Sequence, residues 1–271
     1  MPSSHTEELA AVRRLAADAG AFLLEHHGSI RHFDRKGAVD LVTDIDRRSE
    51  ARLMEGLSRL FPDDAIIAEE GSAQEGRSGR QWYIDPLDGT TNFVHGFSHF
   101  AVSIACCDAE GPLLGAVHAP YLDELFLAVR GQGATLARPR GGGDARPLSR
   151  REPVAFGDAL LATGFSYTRD ERIDRVCELV RRALRAGCHG VRRAGSAAVD
   201  LAHVGGGCLD GYFELTLRPW DVAAGTLICR ETGCLVTGMD GSEQPLQWDS
   251  VCAGEPGLHA ALLRLIQEAP V

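Results

Sequence analysis

The sequence lacks several features that would each have placed it in a functional class. None of its apolar runs approaches the ~20 residues that a membrane-spanning helix needs. Its eight cysteines include no CxxC pair and no spacing typical of zinc ligands, so we expect plain buried thiols. Acidic residues outnumber basic ones by 38 to 28, and the resulting net charge of −10 argues against an extended nucleic-acid surface. We therefore expect a cytoplasmic protein that neither spans a membrane nor binds nucleic acid directly.

What is present indicates a soluble globular chain without internal repeats. Apolar residues make up 44% of the 271 residues and charged residues 24%. This length suffices for one large domain or for two fused lobes. We predict two lobes of one compact unit, residues 1–145 and residues 146–271.

Hydrophobic periodicity predicts a change of structure along the chain. Helical spacing marks two early helices, the second of which ends at Pro62. From Ala65 onward, short β-rich runs predict a mainly antiparallel sheet. The segment ARPRGGGDARPLS, residues 137–149, could be a linker, a hairpin tip or a loop between lobes. Beyond it, strands and helices alternate, which favours an α/β arrangement.

Carboxylates recur at the boundaries of four apolar segments. These acids are Asp40, Asp44 and Asp46, then Glu69 and Glu70, then Asp85 and Asp88, and finally Asp221. Such boundaries can aim side chains into one crevice, where converging carboxylates repel one another unless a cation is present. Oxygen-only ligands point to Mg²⁺, with Mn²⁺ as a substitute and zinc disfavoured.

The densest of these segments is WYIDPLDGTTNF, residues 82–93. If a strand ends at Asp85, Pro86 fixes a turn that returns Asp88 toward the same point. The Leu87 carbonyl then lies between the two carboxylates as a third oxygen. The Gly-Thr-Thr that follows is predicted to begin a helix whose free N–H groups favour an anion. Metal and phosphate sites would then be contiguous.

Each acid also has a purely structural interpretation. Asp44, Asp46 and Asp221 each precede or begin a predicted helix, so each could serve only as an N-cap. The sequence DPLDGTT is itself a fair turn followed by a cap. The joint occurrence of all four segments is what favours a cation site.

Four ordered motifs resemble those of the inositol monophosphatase family. "DPLDGTTNF" is similar to its first signature and "WDVAAGTLICRETG" to its second, while "DLVTDID" and "AEE" match two smaller metal motifs. "RRAGSAAVDLAHV" and "LRPWD" resemble its bacterial branch. The resemblance implies an alternating αβαβα layered sandwich of the inositol monophosphatase and fructose-1,6-bisphosphatase type. It also implies a homodimer that hydrolyses phosphate monoesters with Mg²⁺ and is inhibited by Li⁺.

The same resemblance assigns site residues in the first lobe. It implies two to three Mg²⁺ ions, the first held by Glu69, Asp85 and the Leu87 carbonyl. The second is held by Asp85, Asp88 and Asp221, and a weaker third by Glu69 and Asp46. Thr90 and Glu69 would align the attacking water, and the N–H groups of Gly89 and Thr90 would bind the phosphate. Thr43 is expected to support Asp46 or Thr90. The remaining acids of these motifs are expected to cap or orient: Glu70, Asp44 and Asp40. Lys36 is expected to approach the metals.

Substrate recognition is assigned by the resemblance to the second lobe. The polyol contacts match Gly195, Ser196 and Ala197, with Glu214 accepting hydroxyl hydrogen bonds and Asp221 near the leaving oxygen. Alternatively, Gly-Ser-Ala-Ala is simply a good helix start and Glu214 an exposed strand acid. His95 and His99 are interpreted as surface or packed histidines. The arginine pairs at 181–182 and 192–193 are interpreted as helix-face and loop charges.

Several functions remain open within this resemblance. Thr91, the second threonine of the motif, favours inositol 1-phosphate as the substrate. Histidinol phosphate is the second choice, and other sister enzymes act on 3′-phosphoadenosine 5′-phosphate or fructose bisphosphate. Some bacterial relatives also bind the transcription machinery as accessory proteins, which gives an alternative of a different class.

Overall fold

The computed structural model describes residues 5–29, 33–35, 41–168, 170–243 and 249–269. Within these ranges it has seven α-helices. They are α1 (His5–His26), α2 (Asp44–Leu60), α3 (Thr90–Val94), α4 (Glu171–Arg185), α5 (Ala197–Gly205), α6 (Pro219–Glu231) and α7 (Pro256–Gln267). No helix in this part of the chain is long and apolar enough to cross a bilayer.

The first half of the chain builds a large sheet, as its strand pattern predicts. After a small hairpin of β1 (Asp34–Arg35) and β2 (Leu41–Val42), eight strands join one sheet in the order β10-β9-β8-β7-β6-β5-β3-β4. They are β3 (Ala65–Ala68), β4 (Ala73–Gln74), β5 (Gln81–Asp88), β6 (Ala101–Asp108), β7 (Gly111–Ala119), β8 (Glu124–Val129), β9 (Ala134–Arg138) and β10 (Gly143–Pro147). Only β3 and β5 pair in parallel, so the prediction of a mainly antiparallel sheet is confirmed. Residues 137–149 contain the tip of the β9–β10 hairpin, one of the alternatives left open.

A second sheet of five strands follows, in the order β12-β11-β13-β15-β14. Its strands are β11 (Leu160–Thr163), β12 (Gly190–Arg192), β13 (Gly211–Leu215), β14 (Leu235–Thr237) and β15 (Ser250–Gly254). The pattern of the sequence did not reveal β12 and β15. Both are short, and their identity as strands comes from pairing within the sheet, β12 with β11 and β15 with β13 and β14.

Helices and sheets alternate as five layers. Helices α1 and α2 cover the outer face of the first sheet, α5 and α6 lie between the two sheets, and α4 and α7 cover the second sheet. Helix α6 is buried from Val222 to Cys229, as expected for a helix enclosed by sheets on both sides. Close approach is helped by Gly115 of β7, where a Cβ atom would lie 3.1 Å from the Ala224 Cα. The predicted αβαβα sandwich is therefore confirmed.

The core does not separate cleanly into two halves. The first sheet ends at Pro147 and the second begins at Leu160. One buried cluster nevertheless includes Phe126 of the first sheet, Ala198 of α5 and Tyr212 of the second sheet. The division into lobes at residues 145 and 146 stays a prediction.

Candidate active site

A cavity of about 300 Å³ lies where the two sheets and the middle helices meet. Its walls include Glu69, which follows β3, Asp85 and Asp88 of β5, and Asp221 in the first turn of α6. The Glu69 N–H donates to the Ile84 carbonyl at 3.1 Å, which continues the parallel pairing of β3 with β5. Three of the four acidic segments therefore send carboxylates into one cavity.

The strand does not end at Asp85 with a turn at Pro86, as the sequence predicts: it runs through Pro86 with a bulge, and the chain turns at Gly89. Strand β5 continues to Asp88 with a register shift after Asp85, and the Asp85 Oδ1 accepts the Leu87 N–H at 2.9 Å. Gly89 adopts the left-handed φ of 89° that precedes α3. A Cβ atom there would lie 3.0 Å from the His99 carbonyl oxygen, so close packing also favours glycine.

Asp46 is the third residue of α2 and hydrogen-bonds both to Thr43, the N-cap of that helix, and to Thr90 of the cavity wall. Its Oδ2 accepts the Thr43 N–H at 2.8 Å and the Thr43 hydroxyl, while Thr43 Oγ1 accepts from the Ile45 and Asp46 N–H groups. Its Oδ1 accepts the Thr90 hydroxyl at 3.0 Å, and Thr90 is also 3.0 Å from the Leu87 carbonyl oxygen. The N-cap of α2 is therefore Thr43, so the interpretation of Asp44 or Asp46 as N-cap is wrong, whereas the expected support of Asp46 by Thr43 is confirmed. Asp221 likewise is the third residue of α6, whose N-cap is Arg218. Burial, before all other causes, raises the Asp46 pKa.

The carboxylates of the cavity perturb one another strongly. Burial raises the pKa of Asp85 well above its ordinary range, and the charges of Glu69, Asp88 and Asp221 raise it further. Burial also raises the pKa of Asp221 well above its ordinary range, and the charges of Glu69 and Asp88 raise it further. Burial raises the pKa of Asp88 to about 6, although hydrogen bonds from Ser196 and the Ala198 N–H oppose the rise. The cavity is therefore unfavourable for several negative charges unless a cation shares it.

The donor atoms fit a hard divalent cation with an incomplete protein shell. All of them are oxygens, from carboxylates and from the Leu87 carbonyl. Among the residues that the structure describes, no group of three His, Cys, Asp or Glu side chains is arranged to hold a metal ion by itself. Mg²⁺ commonly binds through a few carboxylates and completes its octahedron with water and substrate phosphate. The open acidic set matches that behaviour better than a closed, all-protein cage.

The second sheet and the start of α5 supply another part of the cavity wall, next to Asp88. Gly195, Ala197 and Glu214 line the cavity, whereas Ser196 is buried behind it. The Ser196 hydroxyl donates to Asp88 Oδ2 at 2.6 Å and accepts the Val199 N–H, so it is a helix N-cap and also contacts the site. The hydroxyl of Tyr212 donates to Glu214, whose pKa burial raises to about 7. Glu214 is thus a cavity residue rather than an exposed strand acid.

Several cavity residues were not predicted as site residues. Of the pair interpreted as loop charges, Arg192 ends β12, and Arg193 lies on the loop that leads into α5. Arg193 also lines the cavity, and its charge lowers the Glu214 pKa against the effect of burial. Arg218 lines the cavity as well. The remaining wall comes from residues 164–168, Thr216, Leu217 and Trp220. Nearness to the GSAA and RPWD motifs was the only local signal for the two arginines.

Other sequence expectations are resolved away from the cavity. Asp44 forms a 3.6 Å ion pair with the exposed Arg48, and the Glu70 N–H donates to Glu50 at 2.8 Å. His95 is exposed and His99 contacts Asp200 at 3.2 Å, which confirms the interpretation of surface and packed histidines. The pair at 181–182 contacts Glu178 on the same helix. Lys36 and Asp40 lie outside the described residues.

The αβαβα layers and the acidic cavity between the sheets agree with the class of phosphatases that the motifs predict. The chain belongs to the inositol monophosphatase family, whose model matches residues 5–270. It is 41% identical over 236 residues to the Nus factor SuhB of Vibrio cholerae, covering 86% of this chain and 85% of that protein. It is 40% identical over 270 residues to the inositol-1-monophosphatase of Synechocystis sp., covering 97% and 89% respectively.

A solved structure extends this similarity to the fold. The extragenic suppressor protein suhB from Bartonella henselae superimposes with a TM-score of 0.90 at 32% identity, over 98% of this chain and 100% of that chain. The chain is therefore assigned to the phosphatases of the inositol monophosphatase family.

Proposed function

We propose that the protein hydrolyses a small phosphate monoester, inositol 1-phosphate, to inositol and inorganic phosphate. The observation that carries this proposal is the cavity itself. Its wall combines the acidic group of Glu69, Asp85, Asp88 and Asp221 with a second group, Gly195, Ala197 and Glu214. The carboxylates, which require a cation, can hold a phosphate group through that cation, and Glu214 can accept hydrogen bonds from hydroxyl groups. Such a cavity suits a phosphorylated polyol. The 40% identity to a protein named inositol-1-monophosphatase supports the same substrate.

The metal ligands are proposed as Glu69, Asp85, the Leu87 carbonyl, Asp88, Asp221 and Asp46, which would hold two to three Mg²⁺ ions. Bound Mg²⁺ supplies positive charge opposite the phosphate oxygens and lowers the pKa of coordinated water. Thr90 Oγ1 donates its proton toward Asp46 and Leu87, so its lone pairs can accept a hydrogen bond from the attacking water. The Glu69 carboxylate would accept one proton of that water as the water oxygen bonds to phosphorus, and the departing alcohol oxygen would take up a proton from solvent as its own bond to phosphorus breaks. The N–H groups of Gly89 and Thr90 bind the phosphate during in-line attack, and no covalent phosphoenzyme is needed.

The alcohol part of the substrate is assigned to the second sheet and α5. Glu214 accepts hydroxyl hydrogen bonds, and Asp221 lies near the leaving oxygen. Gly195 and Ala197 shape the wall. Ser196 acts mainly through Asp88, since its hydroxyl proton is already committed to that carboxylate at 2.6 Å.

The choice among the substrates of the family requires an assay with several phosphate esters, because Thr91 does not settle it. That residue is half-buried on α3 and is not one of the residues that line the cavity. Phosphate release with Mg²⁺ is measured for inositol 1-phosphate, histidinol phosphate, fructose 1,6-bisphosphate and 3′-phosphoadenosine 5′-phosphate. A preference for inositol 1-phosphate supports the proposal, and a preference for histidinol phosphate moves the enzyme to the second choice. No release from any member would refute the proposed activity.

An accessory role at the transcription machinery is the second candidate. It is favoured by the 41% identity to a protein named Nus factor SuhB. Asp88→Asn separates the two functions, because a binding role is expected to survive this change while hydrolysis is not. Loss of both together would argue that binding depends on the intact acidic cavity.

Three further properties complete the proposal. We expect a homodimer, sensitivity to Li⁺ and a cytoplasmic location. Light scattering tests the first, hydrolysis in the presence of lithium chloride the second, and cell fractionation the third. A monomer at micromolar concentration would contradict the first expectation.

A further inference from the structure

The side chain of Asn92 links the phosphate end of the cavity to the alcohol end. Asn92 belongs to α3, directly after the Gly-Thr-Thr of the first motif, and only 9% of its surface is exposed. Its Nδ2 donates to the His99 carbonyl oxygen at 2.6 Å, to the Ala194 oxygen at 2.8 Å and to the Gly195 oxygen at 3.2 Å. The last two carbonyls lie about a hundred residues away in sequence, on the loop that leads into α5.

The same loop is held from its other end by Asp88. Its Oδ2 accepts the Ser196 hydroxyl at 2.6 Å and the Ala198 N–H at 2.8 Å. Residues 194–198 are therefore fixed at two points by the segment that contains Asp88 and Asn92. Asp88 belongs to the acidic group, whereas Asn92 does not line the cavity. Of the segments that Asn92 Nδ2 contacts, this loop is the one that lines the cavity, so an effect of the amide on substrate is expected through the position of the loop.

The shape of the loop depends on close contact with Asn92. Gly195 has a φ of +93°, which favours glycine. A Cβ atom on Gly195 would lie 3.1 Å from Asn92 Nδ2 and 2.3 Å from an Arg193 guanidinium nitrogen. The amide thus occupies the space next to Gly195 and satisfies two carbonyls that precede α5.

We propose that Asn92 is a positioning residue that sets the distance between the phosphate-binding turn and the alcohol-recognising loop. This inference rests on the proposed function, in which residues 195–197 face the alcohol part of the substrate. Without the amide, the carbonyls of Ala194 and Gly195 lose their donor and the loop loses one of its two attachments. Substrates that contact this loop should suffer more than an ester that offers it no hydroxyl groups.

The test compares two substrates in Asn92→Ala and Asn92→Asp. For inositol 1-phosphate we expect kcat/KM to fall roughly tenfold more than for p-nitrophenyl phosphate, since small misplacements of a substrate wall cost large factors in rate. Asn92→Asp preserves size but replaces the donor by an acceptor facing three carbonyls, so its loss should equal or exceed that of alanine. Gln74→Ala is the matched control. Gln74 lies on the edge strand β4, and the change removes a 2.9 Å hydrogen bond from its side-chain amide to the Asp64 carbonyl oxygen.

A second measurement does not depend on turnover. Hydrogen exchange of the Ala198 and Val199 amides should become faster in both Asn92 variants and stay unchanged in the Gln74 control. Equal losses for the two substrates, or unchanged exchange in residues 194–199, would overturn the proposal. So would full activity of Asn92→Asp. A wild-type protein that hydrolyses neither substrate would instead refute the proposed function, while the exchange experiment still judges the role of Asn92.

Discussion

Replacing Asp88 by asparagine should separate the stability of the cavity from its chemistry. In the metal-free protein, burial leads the causes that raise the Asp88 pKa from 3.8 to about 6. For an acid, a raised folded-state pKa means that the ionised form destabilises the fold. The destabilisation develops between pH 3.8 and about 6 and is complete at pH 7, where it reaches up to about 3 kcal/mol. Asparagine removes this charge and can still accept from Ser196 and the Ala198 N–H through its oxygen.

The assay is chemical unfolding in the presence of a chelator. At pH 7, Asp88→Asn should raise the free energy of unfolding by up to about 3 kcal/mol, and this gain should vanish below about pH 4. With Mg²⁺ present, the difference in the free energy of unfolding between the variant and the wild type should shrink or change sign. The reason is that cation binding stabilises the wild type, whereas the variant has lost one carboxylate of the cation site. Hydrolysis should fall at least a hundredfold. A variant no more stable than the wild type in chelator, or one with near-normal hydrolysis, would refute the assignment of Asp88 to a repulsive, cation-binding group.

Three further perturbations have defined outcomes. Thr43→Val removes the cap of α2 and a hydrogen bond to the buried Asp46. The free energy of unfolding in urea should therefore fall by about 2 kcal/mol, and kcat should fall in steady-state assays. If both values are unchanged, Thr43 does not support Asp46. Chelator should abolish hydrolysis and added Mg²⁺ should raise the melting temperature, whereas hydrolysis that persists in chelator would exclude the cation requirement. Trp82→Phe removes the buried 2.8 Å hydrogen bond from the indole N–H to Asp64, whose carboxylate keeps its 3.4 Å ion pair with Arg80. The free energy of unfolding should fall by about 1 to 2 kcal/mol, and the activity should not change. A matching loss of hydrolysis would show that this edge of the sheet communicates with the site.

Local signals explain which parts of the fold could be predicted. The first sheet follows from alternating apolar runs separated by turns, and the left-handed Gly89 before α3 follows from residue chemistry that acts over a few positions. The caps at Thr43 and Ser196 have the same origin. The bulge that carries β5 through Pro86 to Asp88 depends on pairing with β6 and was not predicted. Strands β12 and β15 were missed because three to five residues carry little periodicity, and their pairing partners lie far away in sequence.

The candidate site shows the same limit. Family motifs pointed to each carboxylate, but the proximity of Arg193 to Glu214 was not visible, because one residue precedes α5 and the other lies on β13. The role of Asn92 was equally hidden. Its motif position is local, while two of its three acceptors belong to another layer of the sandwich.

Several features of the candidate site follow from the sequence by itself: carboxylates in four ordered segments, a glycine where the backbone must be left-handed, and the N-caps Thr43 and Ser196, which hydrogen-bond to Asp46 and Asp88. These depend on interactions within a few residues, which composition and spacing express directly. Only the tertiary structure decided which of these groups meet. Thr90 reaches Asp46 across 44 residues and Asp88 reaches Ser196 across 108. Such distances close only when two sheets enclose α5 and α6, because burial of apolar surface, rather than any local preference, brings the layers together.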